Sequence, residues 1–338
     1  MDKMNRTSEP PHAAEQDELT QPSQRLRAWA IEAAPILVVL AATIYLVGFS
    51  LFRQNWSSLL IFVPIFIVAA ALSRLRSFAV TWAPLAVFLD AFARLRSVAD
   101  KTGIPIHHTA ALEADRFLFF GTAPTVWLQN RLTIPDHFRW YDYAATGFHW
   151  SHFVMPITIL FILWLKHPAF FRRYLIAFVV LTTIVLDIYF IFPAVPPWMA
   201  AREGYLPHLA RPMVDVAVQA DRSLFGSVYA TIGASNDVAA MPSLHASYPF
   251  LACVMFWPVS RKLGLFGLLY FLLMSLALVY LAEHYVIEIL AAMVCVLISA
   301  RIAYAIDRRM PPLPERRPIR EPMRIAPFAE APVPVHAP

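Results

Sequence analysis

Met241-Pro242-Ser243-Leu244-His245-Ala246-Ser247 and Glu283-His284-Tyr285-Val286-Ile287-Glu288 each set a histidine beside an apolar run long enough to cross a bilayer. Two such runs, about 243–259 and 264–282, separate the histidines, and the basic pair Arg261-Lys262 stands at the turn between them. A chain that leaves one membrane face at His245, crosses, turns and crosses back delivers His284 to the face it left. The two imidazoles can therefore meet. That pairing reads the chain as a bundle of membrane helices with a reactive site at one end.

Composition agrees. Of 338 residues, 59% are hydrophobic and only 15% charged, against about 25% charged in a soluble domain, and the mean hydropathy is +0.55. The chain is an integral membrane protein on this reading. Its net charge of +5 comes from Lys and Arg in short segments between apolar runs and in the tail, the pattern of cytoplasmic loops and not of a nucleic-acid-binding face. Cys253 and Cys295 both lie inside apolar runs, where they act as small hydrophobes and imply no disulfide framework.

Taken in order, residues 1–24 read as a disordered cytoplasmic tail. Residues 25–98 hold N-terminal transmembrane helices, with spans over 28–52 and 56–72. The run 78–93 contains Pro84 and Asp90 and is either a third span or an interfacial helix; a cytoplasmic loop at Arg74 and Arg76 followed by an external segment favours the span. Residues 99–142, with Trp127, Trp140 and Tyr141, form that external interfacial segment. Residues 143–305 form the catalytic transmembrane core, with spans over 143–165, 174–192, 243–259, 264–282 and 285–304. The loop 193–241 within it is long enough to suggest function. Residues 306–338 read as a disordered, Pro-rich cytoplasmic tail. The fold class is all-α: a polytopic transmembrane helical bundle of about 6–8 spans.

His284 and Glu288 are four residues apart, so on a helix their side chains share a face. A carboxylate that accepts from one imidazole nitrogen fixes the tautomer and leaves the other nitrogen as nucleophile or base. His245 falls near a helix start, where free amides and the dipole favour an anion, and Ser243 is placed to cap that helix. An oriented nucleophile, a second imidazole able to donate a proton and an anion cradle are the parts that phosphoryl transfer from a lipid requires. The alternative is two interfacial histidines with hydrogen-bonding roles only; the paired placement weighs against it. His149 and His152, with Asp142 nearby, have a spacing that suits a metal but lack a proven third ligand; recognition of a polar headgroup is the favoured role. Asp115, with Phe119-Phe120-Gly121 and Pro124-Thr125, either shapes a lid or turns the chain.

The segments 241–247 and 284–288 resemble the second and third signature motifs of the type 2 phosphatidic acid phosphatase superfamily, which includes sphingomyelin synthases and inositol phosphorylceramide synthases. The resemblance covers about the last 170 residues. Phe192-Pro193-Ala194-Val195-Pro196-Pro197-Trp198, and Ser-Leu-His where phosphatases commonly have Ser-Gly-His, look most like the inositol phosphorylceramide synthase branch. It implies a six-helix catalytic core in which His284 attacks phosphorus to form a phosphohistidine, Glu288 orients it and His245 protonates the leaving alcohol. Three positions depart from the phosphatase pattern: Leu278 replaces an arginine, Gly204 replaces a lysine, and Glu288 replaces an aspartate. Another cation should then meet the phosphate. Arg202, Arg211 and Arg222 follow the Pro-Pro-Trp element, with Arg211 ranked first and Arg202 second.

The expected substrate-binding set is Ser243, Arg211, Arg202, Trp198, His149 and His152. The expected function is a membrane lipid phosphotransferase of the external leaflet, transferring a phosphate-linked headgroup such as phosphoinositol to a lipid hydroxyl. Its partners are then a phospholipid and a lipid acceptor, with no metal, organic cofactor or nucleic acid. The alternatives are a phosphatase for phosphatidate, phosphatidylglycerophosphate or polyprenyl pyrophosphate, and an inactive lipid-binding relative. Richness in Ala, Pro and Arg suggests a GC-rich bacterium, a multi-pass plasma-membrane location and a site facing the periplasm.

Overall fold

The computed structural model describes residues 65–69, 74–134, 137–220 and 236–311. The expected span 28–52, most of 56–72, Arg222, the tail 1–24 and all but the start of the tail 306–338 lie outside the described residues. The helices are α1 (Leu75–Arg96), α2 (Ala110–Leu118), α3 (Pro124–Leu132), α4 (Trp140–Ser151), α5 (Met155–Lys166), α6 (Pro168–Ile191), α7 (Pro197–Arg202), α8 (Pro212–Ala220), α9 (Leu244–Phe256), α10 (Arg261–Tyr280) and α11 (Val286–Arg309). Extended pairing among the described residues is confined to isolated bridges, among them His107 to Ala194 and Ala194 to Ala239.

The fold is an all-helical membrane bundle. Among the described residues helices α1, α6, α10 and α11 are each long and apolar enough to cross a membrane, and α4 with α5 forms an apolar pair bent by 51°, the geometry of a broken span or a re-entrant loop. The run 78–93 is thus part of a 22-residue helix of span length. Three expectations need correction. The span expected over 143–165 is broken: Pro156 lacks the N–H that would bond the carbonyl of His152, so the helix stops and restarts there. The loop 193–241 carries two helices, α7 and α8. The span expected over 243–259 is a helix of 13 residues, about 20 Å long at 1.5 Å per residue, against about 30 Å for a full crossing. Since α9 and α10 are joined by a short turn and α10 has 20 residues, the start of α9 stops about 10 Å short of the level α10 reaches. His245 is therefore recessed.

Close packing sets the register of the motif-bearing helices. At Gly267 of α10 an added Cβ would stand 2.7 Å from the backbone nitrogen and 2.8 Å from the Cα of Cys253 in α9, so only glycine lets these backbones approach so nearly. Helix α11 turns Ala292, Val296, Ala300 and Ala303 inward, all buried, and packs along α6, whose Ala177, Leu181 and Val185 are fully buried. Small residues allow that contact in lipid, where van der Waals packing, not hydrophobic exclusion, holds helices together. Cys253 and Cys295 are free and buried within these contacts.

Candidate active site

Helix α9 begins at a true side-chain cap. Ser243 Oγ accepts from the N–H of Ala246 at 3.3 Å, and the Ser243 N–H donates to the backbone carbonyl of Glu288 at 3.1 Å. This ties the start of α9 to the start of α11. Tyr189 of α6 adds a third hold by donating its hydroxyl to the carbonyl of Pro242 at 3.1 Å. Ser243 is fully buried and spent on the cap, which fits its expected capping role and leaves its hydroxyl little reach toward a substrate.

The turn between α10 and α11 folds back on itself. The N–H groups of Glu283 and His284 both donate to the carbonyl of Leu278, at 3.0 and 3.3 Å. Leu278, where the phosphatase pattern has arginine, is a fully buried core residue. His284 Nδ1 then lies 2.7 Å from Glu288 Oε2, which also accepts from the N–H of Tyr285 at 3.2 Å. Glutamate thus reaches the imidazole despite its extra methylene. A carboxylate acceptor puts the proton on Nδ1 and leaves the lone pair on Nε2. His284 Nε2 faces His245 Nδ1 at 3.4 Å, so the two imidazoles that the sequence pairs are in contact.

His149 and His152 complete a cluster of four histidines. The His245 ring stacks on His149 at 4.5 Å between centroids and packs against His152 at 4.1 Å. His152 in turn stacks on Tyr248, one helical turn below His245. The two residues do not share one continuous helix: His149 lies in the last turn of α4 and His152 caps its end, in the break before α5. Asp142 is not with them. Its carboxylate accepts from the Tyr280 hydroxyl and the Arg139 N–H, and among the described residues no three His, Cys, Asp or Glu side chains are arranged to hold a metal. His149 Nδ1, His152 Nδ1, His245 Nε2 and Glu288 Oε1 are buried without a hydrogen-bond partner. Buried polar groups are normally satisfied, so such a concentration is a place that a polar ligand could complete.

The Pro-Pro-Trp element docks on this turn through the Trp198 N–H, which donates to the carbonyl of Ala282 at 3.0 Å. Arg211 and Arg202 both lie over the Trp198 ring, at 3.9 and 5.0 Å from its centroid. Arg211 also donates to Glu283 Oε1 at 2.9 Å, which places its guanidinium beside the residue preceding His284. Burial pushes the Glu283 carboxyl above its usual range, and the Arg211 charge partly opposes this. Gly204, at the lysine position of the phosphatase pattern, has φ +87°, a left-handed conformation that ends α7 and disfavours a side chain.

Sequence reasoning passed over three further residues. Glu283 holds Arg211. Buried Gln129 of α3 donates to the carbonyls of Ala210 and Tyr280, at 3.1 and 2.8 Å, and accepts from the N–H of Ala210 at 2.9 Å, fixing the approach of Arg211 to the end of α10. Arg96 of α1 lies over the Tyr189 ring, 5.8 Å from its centroid. None has a local signal, because each acts across a large sequence separation. Apart from the histidines there is an apolar cavity of about 810 Å³ between α10 and α11, lined by residues such as Trp127, Leu276, Val286 and Met293. On α11 its lining residues lie largely opposite Glu288, so it is not part of the polar cluster.

The region that holds both histidine motifs matches a known family. The chain belongs to the PAP2 superfamily, whose sequence profile matches residues 109–302, and it is a lipid phosphotransferase or phosphatase in a multi-pass membrane bundle. Among characterised proteins, it is 26% identical over 240 residues to the phosphoinositol dihydroceramide synthase of Bacteroides thetaiotaomicron, covering 66% of this chain and 76% of the relative. No solved structure gives a significant match.

Proposed function

We propose that the protein transfers a phosphate-linked headgroup from a phospholipid to a lipid hydroxyl through a phosphohistidine on His284. The observation that carries this is the chain of contacts Glu288 Oε2, His284 Nδ1, His284 Nε2 and His245 Nδ1, at 2.7 and 3.4 Å. In the first step His284 Nε2 attacks phosphorus, the bond to the lipid alcohol breaks, and His245 gives that alkoxide its proton. Glu288 stabilises the charged imidazole. In the second step the acceptor hydroxyl attacks the phosphohistidine, returns a proton to His245 and frees His284.

Arg211 meets the phosphate, steered by Trp198 and Glu283, with Arg202 behind it. The headgroup lies against His149 and His152. Hydroxyls suit this place because each can donate to and accept from unpartnered imidazole nitrogens, and the Bacteroides relative is named for phosphoinositol. The short turns at the far end of the bundle are basic, with Lys166, Arg172 and Arg173 at one and Arg261 and Lys262 at another. By the positive-inside rule this supports a site in the external leaflet of a bacterial plasma membrane.

The test uses purified protein in mixed micelles with headgroup-labelled phosphatidylinositol, with and without a ceramide-like or diacylglycerol acceptor. Label should appear in a new lipid and vanish in His284→Ala. Free phosphate released from phosphatidate or prenyl pyrophosphate would instead make water the acceptor. Silence with every donor would favour a lipid-binding role without chemistry.

A further inference from the structure

Helix α11 carries Glu288 in its first turn and follows closely on His284, and its own sequence caps it through Glu288 alone, which takes only the Tyr285 amide. The N-cap residue is Tyr285, which lacks the short oxygen-bearing side chain that bonds first-turn amides in most helices. Helix starts leave such amides without intrahelical partners, and buried ones must find them elsewhere. Here the Tyr285 N–H goes to Glu288 Oε2. The next two go to one residue far away in sequence: Val286 N–H donates to Asp115 Oδ2 at 3.0 Å and Ile287 N–H to Asp115 Oδ1 at 2.8 Å. Asp115 is fully buried, although it belongs to the short interfacial helix α2. It is neither a lid residue nor a simple turn former: both carboxylate oxygens are used on the turn that aims Glu288.

We infer that Asp115 is a positioning residue that sets the His284–Glu288 pair by capping α11 from outside the catalytic core. Its kinetic consequence rests on the phosphohistidine reading above; its effect on the turn does not. Two carboxylates divide the three amides between them, Glu288 holding the one beside His284 and Asp115 the two that follow. With Asp115 gone, the Val286 and Ile287 amides are stranded and the first turn of α11 opens. Glu288 then no longer presents Oε2 to His284 Nδ1 at a fixed distance. Because Asp115 touches neither His284 nor the Arg211 group, substrate binding is spared. The negative charge also stands at the positive end of the helix, where it is favourable. Burial pushes the Asp115 carboxyl above its usual range, with the two amides opposing that shift.

The experiment compares Asp115→Asn, Asp115→Glu and wild type in two assays. Asn keeps the shape but turns one acceptor into a donor facing an N–H; Glu keeps both acceptors on a longer arm. In turnover of the labelled phospholipid, D115N should lower kcat by about tenfold or more, with KM within about twofold, and D115E should recover a large part of the loss. In hydrogen–deuterium exchange of the detergent-solubilised full chain, the peptide spanning 285–290 should exchange faster in D115N, while peptides of α6 and α10 stay as in wild type. Wild-type kcat in D115N, or equal damage to kcat and KM in both variants with exchange raised throughout the bundle, would overturn the assignment. If wild type turns over no lipid, the functional reading fails, and the exchange pattern alone decides for or against Asp115. A D115N chain that does not fold leaves D115E to decide: exchange at 285–290 and kcat that change together, both slightly or both strongly, support the assignment, and wild-type exchange there with lowered kcat, or faster exchange there with wild-type kcat, refutes it.

Discussion

At one end of α11, Asp307 has both carboxylate oxygens taken, by Arg172 Nε at 2.7 Å and Arg173 Nε at 2.9 Å. Near the other end, Glu288 has one oxygen shared between His284 and an amide, while its second oxygen has no partner. Both are buried acids on the same helix, facing cations or histidines from neighbouring elements. The arginine end satisfies its charges and reads as a fastening between α6 and α11. The histidine end leaves four buried polar atoms unmet within one cluster, an arrangement that a folded chain tolerates where a ligand completes it. Changes at the two ends should therefore divide cleanly between activity and stability.

The largest effect falls on the nucleophile. His284→Ala should reduce label transfer by on the order of 10³-fold or more, since the proposed covalent intermediate forms on this imidazole, while the purified protein keeps its helical content and melting midpoint. A variant with substantial transfer would show that the histidine end is not organised around His284. Next comes Glu288. Glu288→Gln should lower kcat by about 10²-fold, because a neutral amide neither fixes the tautomer nor stabilises the charged imidazole. Glu288→Asp, with a shorter arm from the same backbone, should lower kcat by about tenfold. A large gain from aspartate would mean a degenerate site, and would sharpen the comparison in the opposite sense.

Arg211 sits between the two kinds of behaviour, since it is paired yet lies at the histidine end. Arg211→Lys keeps the charge but loses the flat contact with Trp198 and the fork geometry. Its KM for the phospholipid should rise by about tenfold with a smaller change in kcat. Arg211→Ala should do more, because it also leaves the largely buried Glu283 carboxylate without its cation. Steady-state kinetics at several donor concentrations separate the two parameters. A pure kcat effect would place Arg211 on the transition state and not on the bound lipid.

Much of the histidine end was legible in the sequence, because its chemistry is carried by local signals. His284 and Glu288 are one helical turn apart, Ser243 precedes an apolar helix, and two apolar runs return the chain to the same face. The break at His152 was legible in principle from Pro156, whose missing N–H is the one the carbonyl of His152 needs. The shortness of α9 was not, since its apolar run continues to Trp257 beyond the last helical residue. The Asp115 cap and the Gln129 clasp join residues 171 and 81 or more apart, and hydrogen bonds of that range leave no pattern along the chain. The stacking of His149 and His152 on His245 depends on the bend between α4 and α5, so spacing alone suggested one helix where there are two.

The smallest expected effect on activity belongs to the arginine end, and it is the sharpest control. Asp307→Asn removes the charge that Arg172 and Arg173 share and leaves an amide that accepts from only one of them. Asp307 is nearly buried, but the two arginine side chains are 19% and 33% exposed, so water screens and partly replaces what is lost. The penalty is accordingly about 1–2 kcal/mol, below that of a fully buried pair. Arg173 also keeps its place over Tyr304, 4.6 Å from the ring centroid, and Arg172 keeps its bond to the carbonyl of Pro311 at 2.8 Å, so the end loosens without coming apart. Thermal unfolding in detergent should show a lower midpoint for D307N, while kcat and KM at a temperature well below that midpoint stay within about twofold of wild type. A D307N enzyme that keeps its midpoint but loses turnover would break the comparison. It would mean that α11 transmits a change at its arginine end through about five turns to Glu288, and that the fastening tunes the site it stands away from.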